Sequence, residues 1–230
     1  GLSAVHYLDL CRVTAIDLNK GEILWSVANG DGLKNHPAFA GIPNLPAMGK
    51  PGRLAALVTK NFVFMGEGSD NGVGLGGMAP GLGGGPMFRA FDKKTGAVRY
   101  QLSDELASYA TPRLATLAGR RWGFAFTRGG LLAFEPTAGR VDFFFPWRAR
   151  KLESVNAASP VTAGDTVLVS ESYGPGSALL RVKPGGFEVV RQDPRRDQSL
   201  QQHWATPVLR RGTLYASSGQ SSGEAELRAV

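Results

Sequence analysis

The segment AIDLNKGEILW at residues 15–25 reads as a β-strand, a polar turn with one glycine, and a second strand that ends on tryptophan. The same eleven-residue pattern returns as AFDKKTGAVRY at residues 90–100 and, with more changes, as AFEPTAGRVDF at residues 133–143. In each copy an acidic residue stands four positions before a glycine and eight before a large aromatic residue. This recurrence indicates a repeated supersecondary unit.

Each copy predicts an antiparallel hairpin. The acidic side chain accepts hydrogen bonds from backbone N–H groups of the turn, and the glycine supplies the positive φ that a tight turn requires. The aromatic residue on the returning strand then points to one face of the sheet, where we expect it to pack between neighbouring repeats. The acidic residues are Asp17, Asp92 and Glu135, the glycines are Gly21, Gly96 and Gly139, and the aromatic residues are Trp25, Tyr100 and Phe143.

A second landmark precedes the hairpins: ATP at Ala110, ASP at Ala158 and ATP at Ala205. Together the two landmarks define a unit of roughly forty to fifty residues with four strands, the sequence signature of a propeller blade. We predict an all-β fold, a β-propeller arc of about four four-stranded antiparallel blades within a larger propeller, in a single domain over 1–230. The expected repeats are 53–101, 109–146, 156–193 and 204–230, preceded by strands within 13–27.

The ends of the chain leave two arrangements open. The last repeat supplies three strand-like segments, TPVLRR, TLYASS and AELRAV, while GEILWSV near the start is an outer strand with no repeat of its own. GEILWSV either completes the last blade in a closed ring, or the blades form an open arc whose free edges pair with missing blades or a second copy. Because a ring of only four blades would demand a sharp turn between neighbouring blades, we favour the open arc.

Two insertions accompany the first repeat: residues 29–52 lie before it and residues 71–86 lie within it. The second, NGVGLGGMAPGLGGGP, is rich in glycine like a phosphate-binding loop. No Lys-Ser or Lys-Thr pair follows it, however, and the next element is the strand MFRAFD instead of a helix whose N-terminus could hold an anion. We therefore expect an inter-strand loop here.

Composition narrows the function classes. The chain of 230 residues is 43% apolar and contains 31 glycines and 14 prolines, which favours many short strands joined by turns. Its net charge of +7 is scattered, with short runs such as RRW, RARK and DPRRD, so we expect no nucleic-acid partner. Cys11 stands alone, and no apolar run approaches the roughly 20 residues of a membrane span.

Residues 13–101 resemble the C-terminal blades of the quinoprotein alcohol and glucose dehydrogenases, which depend on pyrroloquinoline quinone (PQQ). The resemblance rests on TAIDLNKGEILW, NHPAFAGIPNLPAMGKPGRLAALVT, FVFMGEGSD and FRAFDKKTG, in that order. Residues 105–230, with RGGLLAFEPTAGRVDF, ESVNAASPV and AELRAV, resemble the broader group of PQQ-like repeat proteins. The resemblance implies PQQ beside Ca²⁺, oxidation of an alcohol or sugar, and a periplasmic or secreted location. It identifies no general base in this sequence.

Five residues are candidates for contacts with the cofactor or another ligand. His36 lies in the first insertion and Arg53 just before a blade strand, where an arginine can meet an anionic quinone or carboxylate. Asn156 and the pair His203 and Trp204 precede the SP and TP strands at equivalent blade positions, where they would line a ligand funnel. The alternatives are a surface histidine, a solvated arginine and ordinary packing between blades.

Glu67 and Asp70, in the stretch GEGSD, are the candidate calcium ligands because both offer carboxylate oxygen after a strand. The alternative is that a hairpin loop simply contains acidic residues. Two functions therefore stay open: a PQQ-dependent dehydrogenase segment acting on an alcohol or sugar, and a non-catalytic propeller that binds protein partners, like the scaffold of the outer-membrane protein assembly machinery.

Overall fold

The computed structural model describes residues 11–35, 37–50, 55–67, 87–151, 154–220 and 223–230. Its chain forms two compact units, residues 1–107 and 108–230, and each is described by itself. The predicted insertion at 71–86 lies outside the described residues. The single-domain interpretation stays a prediction.

The first unit contains two antiparallel sheets in its described part. Strands β1 (Arg12–Asp17) and β2 (Glu22–Ala28) pair with each other. Two short 3-10 helices, Gly32–Asn35 and Pro37–Phe39, lie in the first predicted insertion. The second sheet has four strands in chain order: β3 (Leu57–Val58), β4 (Phe62–Gly66), β5 (Phe88–Asp92) and β6 (Val98–Ser103).

The second unit contains three antiparallel sheets in the residues described. In every sheet the spatial order of strands is the chain order, as in a meander. The first consists of β7 (Arg113–Leu117), β8 (Arg120–Phe126), β9 (Gly130–Glu135) and β10 (Arg140–Pro146). The second consists of β11 (Val161–Ala163), β12 (Thr166–Glu171), β13 (Gly176–Lys183) and β14 (Gly186–Gln192). The third consists of β15 (Val208–Arg210), β16 (Thr213–Ser218) and β17 (Glu226–Ala229). The all-β prediction, with four-stranded antiparallel sheets, is confirmed.

The repeated hairpin forms by the predicted mechanism. Asp92 Oδ1 accepts hydrogen bonds from the backbone N–H groups of Lys94 at 2.9 Å and Thr95 at 3.1 Å. Gly96, at a φ of 73°, donates its N–H to the Asp92 carbonyl at 2.8 Å. The other copies use the same bonds, from the Asn19 N–H to Asp17 and from the Thr137 and Ala138 N–H groups to Glu135. The acidic residue therefore fixes the turn in all three copies.

Aromatic residues on the outer strands join neighbouring sheets within each unit. Trp25 of β2 donates its indole N–H to the Lys93 carbonyl at 2.9 Å, in the turn between β5 and β6. The ring centroid of Phe143, in β10, lies 5.0 Å from that of Phe187, which follows the turn between β13 and β14. Both residues pack between sheets, as predicted. Tyr100 contacts Phe62 and Phe64 of its own sheet instead.

The largest apolar core lies in the second unit, between the β7–β10 and β11–β14 sheets. Trp122 and Phe124 from β8 are fully buried there with Val167 of β12 and Leu180 of β13. The residues of this core come from two consecutive sheets, so each sheet needs its neighbour to bury its apolar face. Among the described residues, no helix is long and apolar enough to cross a membrane.

Candidate functional site

Three loop segments of the second unit meet one another just before the first strand of each sheet. We call them the entry segments: residues 108–112 before β7, 154–160 before β11, and 199–207 before β15. The Ala110 N–H donates to the Asn156 carbonyl at 3.1 Å, and the Ser159 N–H donates to Thr206 Oγ1 at 3.0 Å. The rings of Tyr109 and Trp204 are 5.1 Å apart. These contacts tie each segment to both others.

Asn156 is the hydrogen-bonding centre of the entry segments. Its side-chain amide, which is buried, donates to the carbonyls of Thr127 at 2.7 Å and Trp147 at 3.0 Å. Its backbone N–H donates to Ser108 Oγ at 2.9 Å. Satisfying these polar groups explains why asparagine is buried here. Its predicted contact with a ligand or cofactor stays a prediction.

His203 lies five residues before β15, as Asn156 lies five before β11, and the structure places His203 and Trp204 with two further aromatic rings. His203 Nδ1 is 3.2 Å from the Gln220 carbonyl, so Nδ1 carries the proton and donates. In the neutral ring Nε2 then accepts from the Tyr173 hydroxyl at 2.9 Å. This pair of hydrogen bonds fixes the His203 ring beside Trp204, with the ring centroids 5.3 Å apart.

Trp204 is the exposed member of this group, with 52% of its surface accessible. One side of its indole lies against Tyr109 and another against His203. The group is defined here as the aromatic cluster: Tyr109, Tyr173, His203 and Trp204. Sequence analysis singled out His203 and Trp204 but not Tyr109, whose one signal was its place directly before the first ATP landmark.

A short basic run follows β10. Arg148, Arg150 and Lys151 are exposed, while Trp147 and Ala149 between and before them are buried. Nearby, buried Arg128 donates from Nη1 to the Ser154 carbonyl at 3.2 Å. Burial lowers the pKa of Arg128, the positive charge of Arg148 lowers it further, and Tyr109 opposes both effects. Arg148 of the basic run and Tyr109 of the aromatic cluster therefore both influence the pKa of Arg128.

Glu171, which ends β12, is a functional candidate that sequence analysis missed. Its side chain is fully buried, and neither carboxylate oxygen accepts a hydrogen bond of ordinary geometry from the residues described. Burial raises its pKa to about 7, although the Tyr173 backbone N–H and the charge of Lys151 oppose the shift. No spacing or motif distinguishes this glutamate in the sequence, because the shift arises from packing.

Glu67, the predicted calcium ligand of the first unit, is also fully buried. It forms an ion pair with Arg89 of β5. Burial raises its pKa, while the charges of Arg89 and Lys50 oppose that rise. A carboxylate already neutralised by arginine is a poor partner for Ca²⁺, which takes six to eight oxygen ligands.

The remaining predicted site residues of the first unit, His36, Arg53 and Asp70, lie outside the described residues. Within the described part of the chain, no group of three or more His, Cys, Asp or Glu side chains is placed to hold a metal ion. Binding of PQQ and Ca²⁺ stays a prediction.

Comparison with known proteins agrees with the hairpin repeat and the sheet order. Residues 10–122 match the family model described as PQQ: Glucose/ethanol/alcohol dehydrogenase, beta-propeller domain. Over those residues the chain is similar to PQQ-type β-propeller repeats. No curated protein matches the sequence. Among solved structures, the PQQ-like repeats are similar to BamB from Moraxella catarrhalis, with 16% identity and a TM-score of 0.39. That alignment covers 90% of this chain and 61% of the BamB chain.

Proposed function

We propose that this propeller segment is a binding scaffold that holds a protein partner at the entry segments of its second unit. The observation that carries the proposal is the half-exposed indole of Trp204, packed against Tyr109 and His203. Exposed tryptophan and tyrosine on a rigid support are the residues that most often dominate the binding energy of protein interfaces. By family resemblance, we place this function in the periplasm or outside the cell.

Rigidity supports the proposal further. His203 is held by Tyr173 and Gln220, and Asn156 ties two entry segments to the loops after β8 and β10. Aromatic residues fixed before binding lose little conformational entropy when the partner arrives. Loops on a rigid β scaffold are also the usual place for recognition residues.

The proposal is tested by capture of a partner on the immobilised chain, followed by affinity measurement with the purified partner. Trp204→Ala should weaken binding about thirtyfold, the effect of losing an interface hot spot. Tyr215→Ala is the matched control, because Tyr215 is an aromatic residue of the same unit with 46% of its surface exposed. Equal loss in both variants, or retained binding in Trp204→Ala, would contradict the proposal.

A second candidate is a PQQ-dependent dehydrogenase segment acting on an alcohol or sugar, and the family match over residues 10–122 favours it. When bound, PQQ would supply the hydride acceptor. We rank this function second because Glu67, the candidate calcium ligand that the structure describes, is already paired with Arg89. Calorimetric titration with PQQ and Ca²⁺, together with dye-linked oxidation of an alcohol or aldose, tests it. His36→Ala should weaken PQQ binding with little loss of stability, and lack of any binding at millimolar PQQ would eliminate the candidate.

A further inference from the structure

Charge is distributed unequally between the two units. Residues 1–107 contain 10 Lys and Arg against 9 Asp and Glu, a net charge of +1, whereas residues 108–230 contain 16 against 10, a net charge of +6. Fourteen of those 16 basic residues are arginines. Arginine binds carboxylates through two parallel hydrogen bonds, which a lysine ammonium does not do. The second unit therefore favours acidic partners.

The basic run after β10 presents its charges on one side of the chain. Trp147 and Ala149 are 5% and 7% exposed, while Arg148 and Arg150 alternate with them and are exposed. The hydrogen bond from Asn156 Nδ2 to the Trp147 carbonyl fixes the backbone directly before Arg148. Two exposed arginines therefore stand two residues apart on a backbone that is fixed at its start, and Lys151 extends the run.

Asn156 also places this run beside the aromatic cluster. Its backbone N–H bonds to Ser108, the neighbour of Tyr109, while its side chain bonds to Trp147, the neighbour of Arg148. Arg148 and Tyr109 both influence the pKa of Arg128, which agrees with this proximity. The basic run and the aromatic cluster, whose exposed ring is that of Trp204, are therefore both tied to Asn156.

From this juxtaposition we infer that the partner presents an acidic segment, with carboxylates bound by Arg148, Arg150 and Lys151 and an apolar side chain packed on Trp204. The inference rests on the proposed scaffold function and specifies the chemistry of its partner. A nucleic acid is disfavoured because three charges form no extended basic stripe. Carboxylates would also steer the partner toward this surface, since attraction of opposite charges raises association rates.

The probe for this inference is the fluorescein-labelled peptide Glu-Glu-Phe-Glu-Glu, with Gln-Gln-Phe-Gln-Gln as the neutral counterpart, and fluorescence anisotropy on the full chain as the readout. The acidic peptide should bind about tenfold more tightly than the neutral one, and added NaCl should reduce the difference. Arg148→Ala combined with Arg150→Ala should remove most of it. Trp204→Ala should weaken the binding of both peptides.

The matched control is Arg140→Ala combined with Lys183→Ala, which removes two exposed charges beside the hairpin turns of the same unit. Far-UV spectra and melting curves verify that each variant folds. Equal binding of the two peptides, equal loss in the control variant, or stronger competition by oligothymidylate than by the acidic peptide would overturn the inference. If the acidic peptide does not bind while capture of a partner still depends on Trp204, the proposed scaffold function is retained and the inference of an acidic partner is rejected.

Discussion

Glu171 and Glu67 are two buried carboxylates at matching positions with different neighbours. In the first unit Met65 pairs with Arg89, two residues before Glu67, and that arginine neutralises the glutamate. In the second unit Val169 pairs with Ala178, two residues before Glu171. Ala178 therefore occupies the position that corresponds to Arg89 in the first unit. Burial raises the pKa of both carboxyl groups, and at Glu67 the charge and hydrogen bond of Arg89 oppose the rise.

This difference predicts an unusual dependence of stability on pH. Since the pKa of Glu171 rises from its ordinary value of 4.5 to about 7, the folded state binds a proton more tightly than the unfolded state. The stabilising contribution is complete below pH 4.5 and is lost as pH rises through about 7. Between those values the free energy of unfolding should fall by up to about 1.4 kcal/mol per pH unit. Urea denaturation of Glu171→Gln should lack this slope, while the exposed control Glu188→Gln retains it. A slope unchanged in Glu171→Gln would disprove the assignment.

Asp193 predicts the opposite trend. Burial raises its pKa, but hydrogen bonds from Ser199 and Ser177 outweigh burial and hold the pKa below its usual value. The stabilising contribution of Asp193 is therefore present above pH 3.8, the ordinary pKa of an aspartate, and is lost as pH falls. Asp193→Asn should cost about 2 kcal/mol at neutral pH, because charge-assisted hydrogen bonds are lost. The difference from the wild-type chain should shrink in acid, as measured by urea denaturation at several pH values.

The sequence predicted part of the candidate site and missed the rest for a physical reason. Asn156 and His203 could be found because they stand at equal distances before recurring strand starts, and Trp204 because it follows His203. Tyr109 and Glu171 could not, because their roles depend on which loops and sheets approach them in three dimensions. Single-sequence patterns report local periodicity, whereas burial and charge effects arise from contacts that are distant along the chain.

At the scale of the hairpin, two turn glycines of the first unit offer a matched comparison. Gly21 and Gly96 have φ values of 72° and 73°, so alanine is strained equally at both. A Cβ at Gly21 would meet open space, whereas one at Gly96 would lie 2.6 Å from the indole of Trp25. Gly21→Ala should therefore cost about 1 kcal/mol, the strain of the left-handed conformation. Gly96→Ala should cost about 2 kcal/mol more, because it overpacks the contact between sheets.

Thermal or urea denaturation measures this difference, and Trp25→Ala supplies the control. In a Trp25→Ala background, the extra cost of Gly96→Ala should disappear. Equal costs at the two glycines in the wild-type background would contradict the contact. The need for glycine in these turns could be predicted from spacing alone. That Gly96 also leaves room for the indole of Trp25 could be learned only from the packing.

At the scale of the whole chain, burial predicts where the structure opens first. Strands β9 and β12 lie in the main core, whereas β15 and β17 consist mostly of exposed residues. Amides of the buried strands exchange with solvent through larger unfolding events than amides of exposed strands. Hydrogen–deuterium exchange followed by mass spectrometry should show protection at least about a hundredfold greater for β9 and β12. Uniform exchange across the chain would contradict this ranking.

The contacts of Trp25 and Phe143 also determine how such repeats can be exchanged between proteins. Each aromatic residue belongs to one sheet, but the surface that receives it, at Lys93 and Gly96 or at Phe187, belongs to the hairpin of the next sheet. A graft cut at the boundaries between blades would separate the two halves of this contact. The unit that can be transferred between proteins is therefore the contact between two sheets. Chimera boundaries should lie within a blade, so that each such contact stays intact.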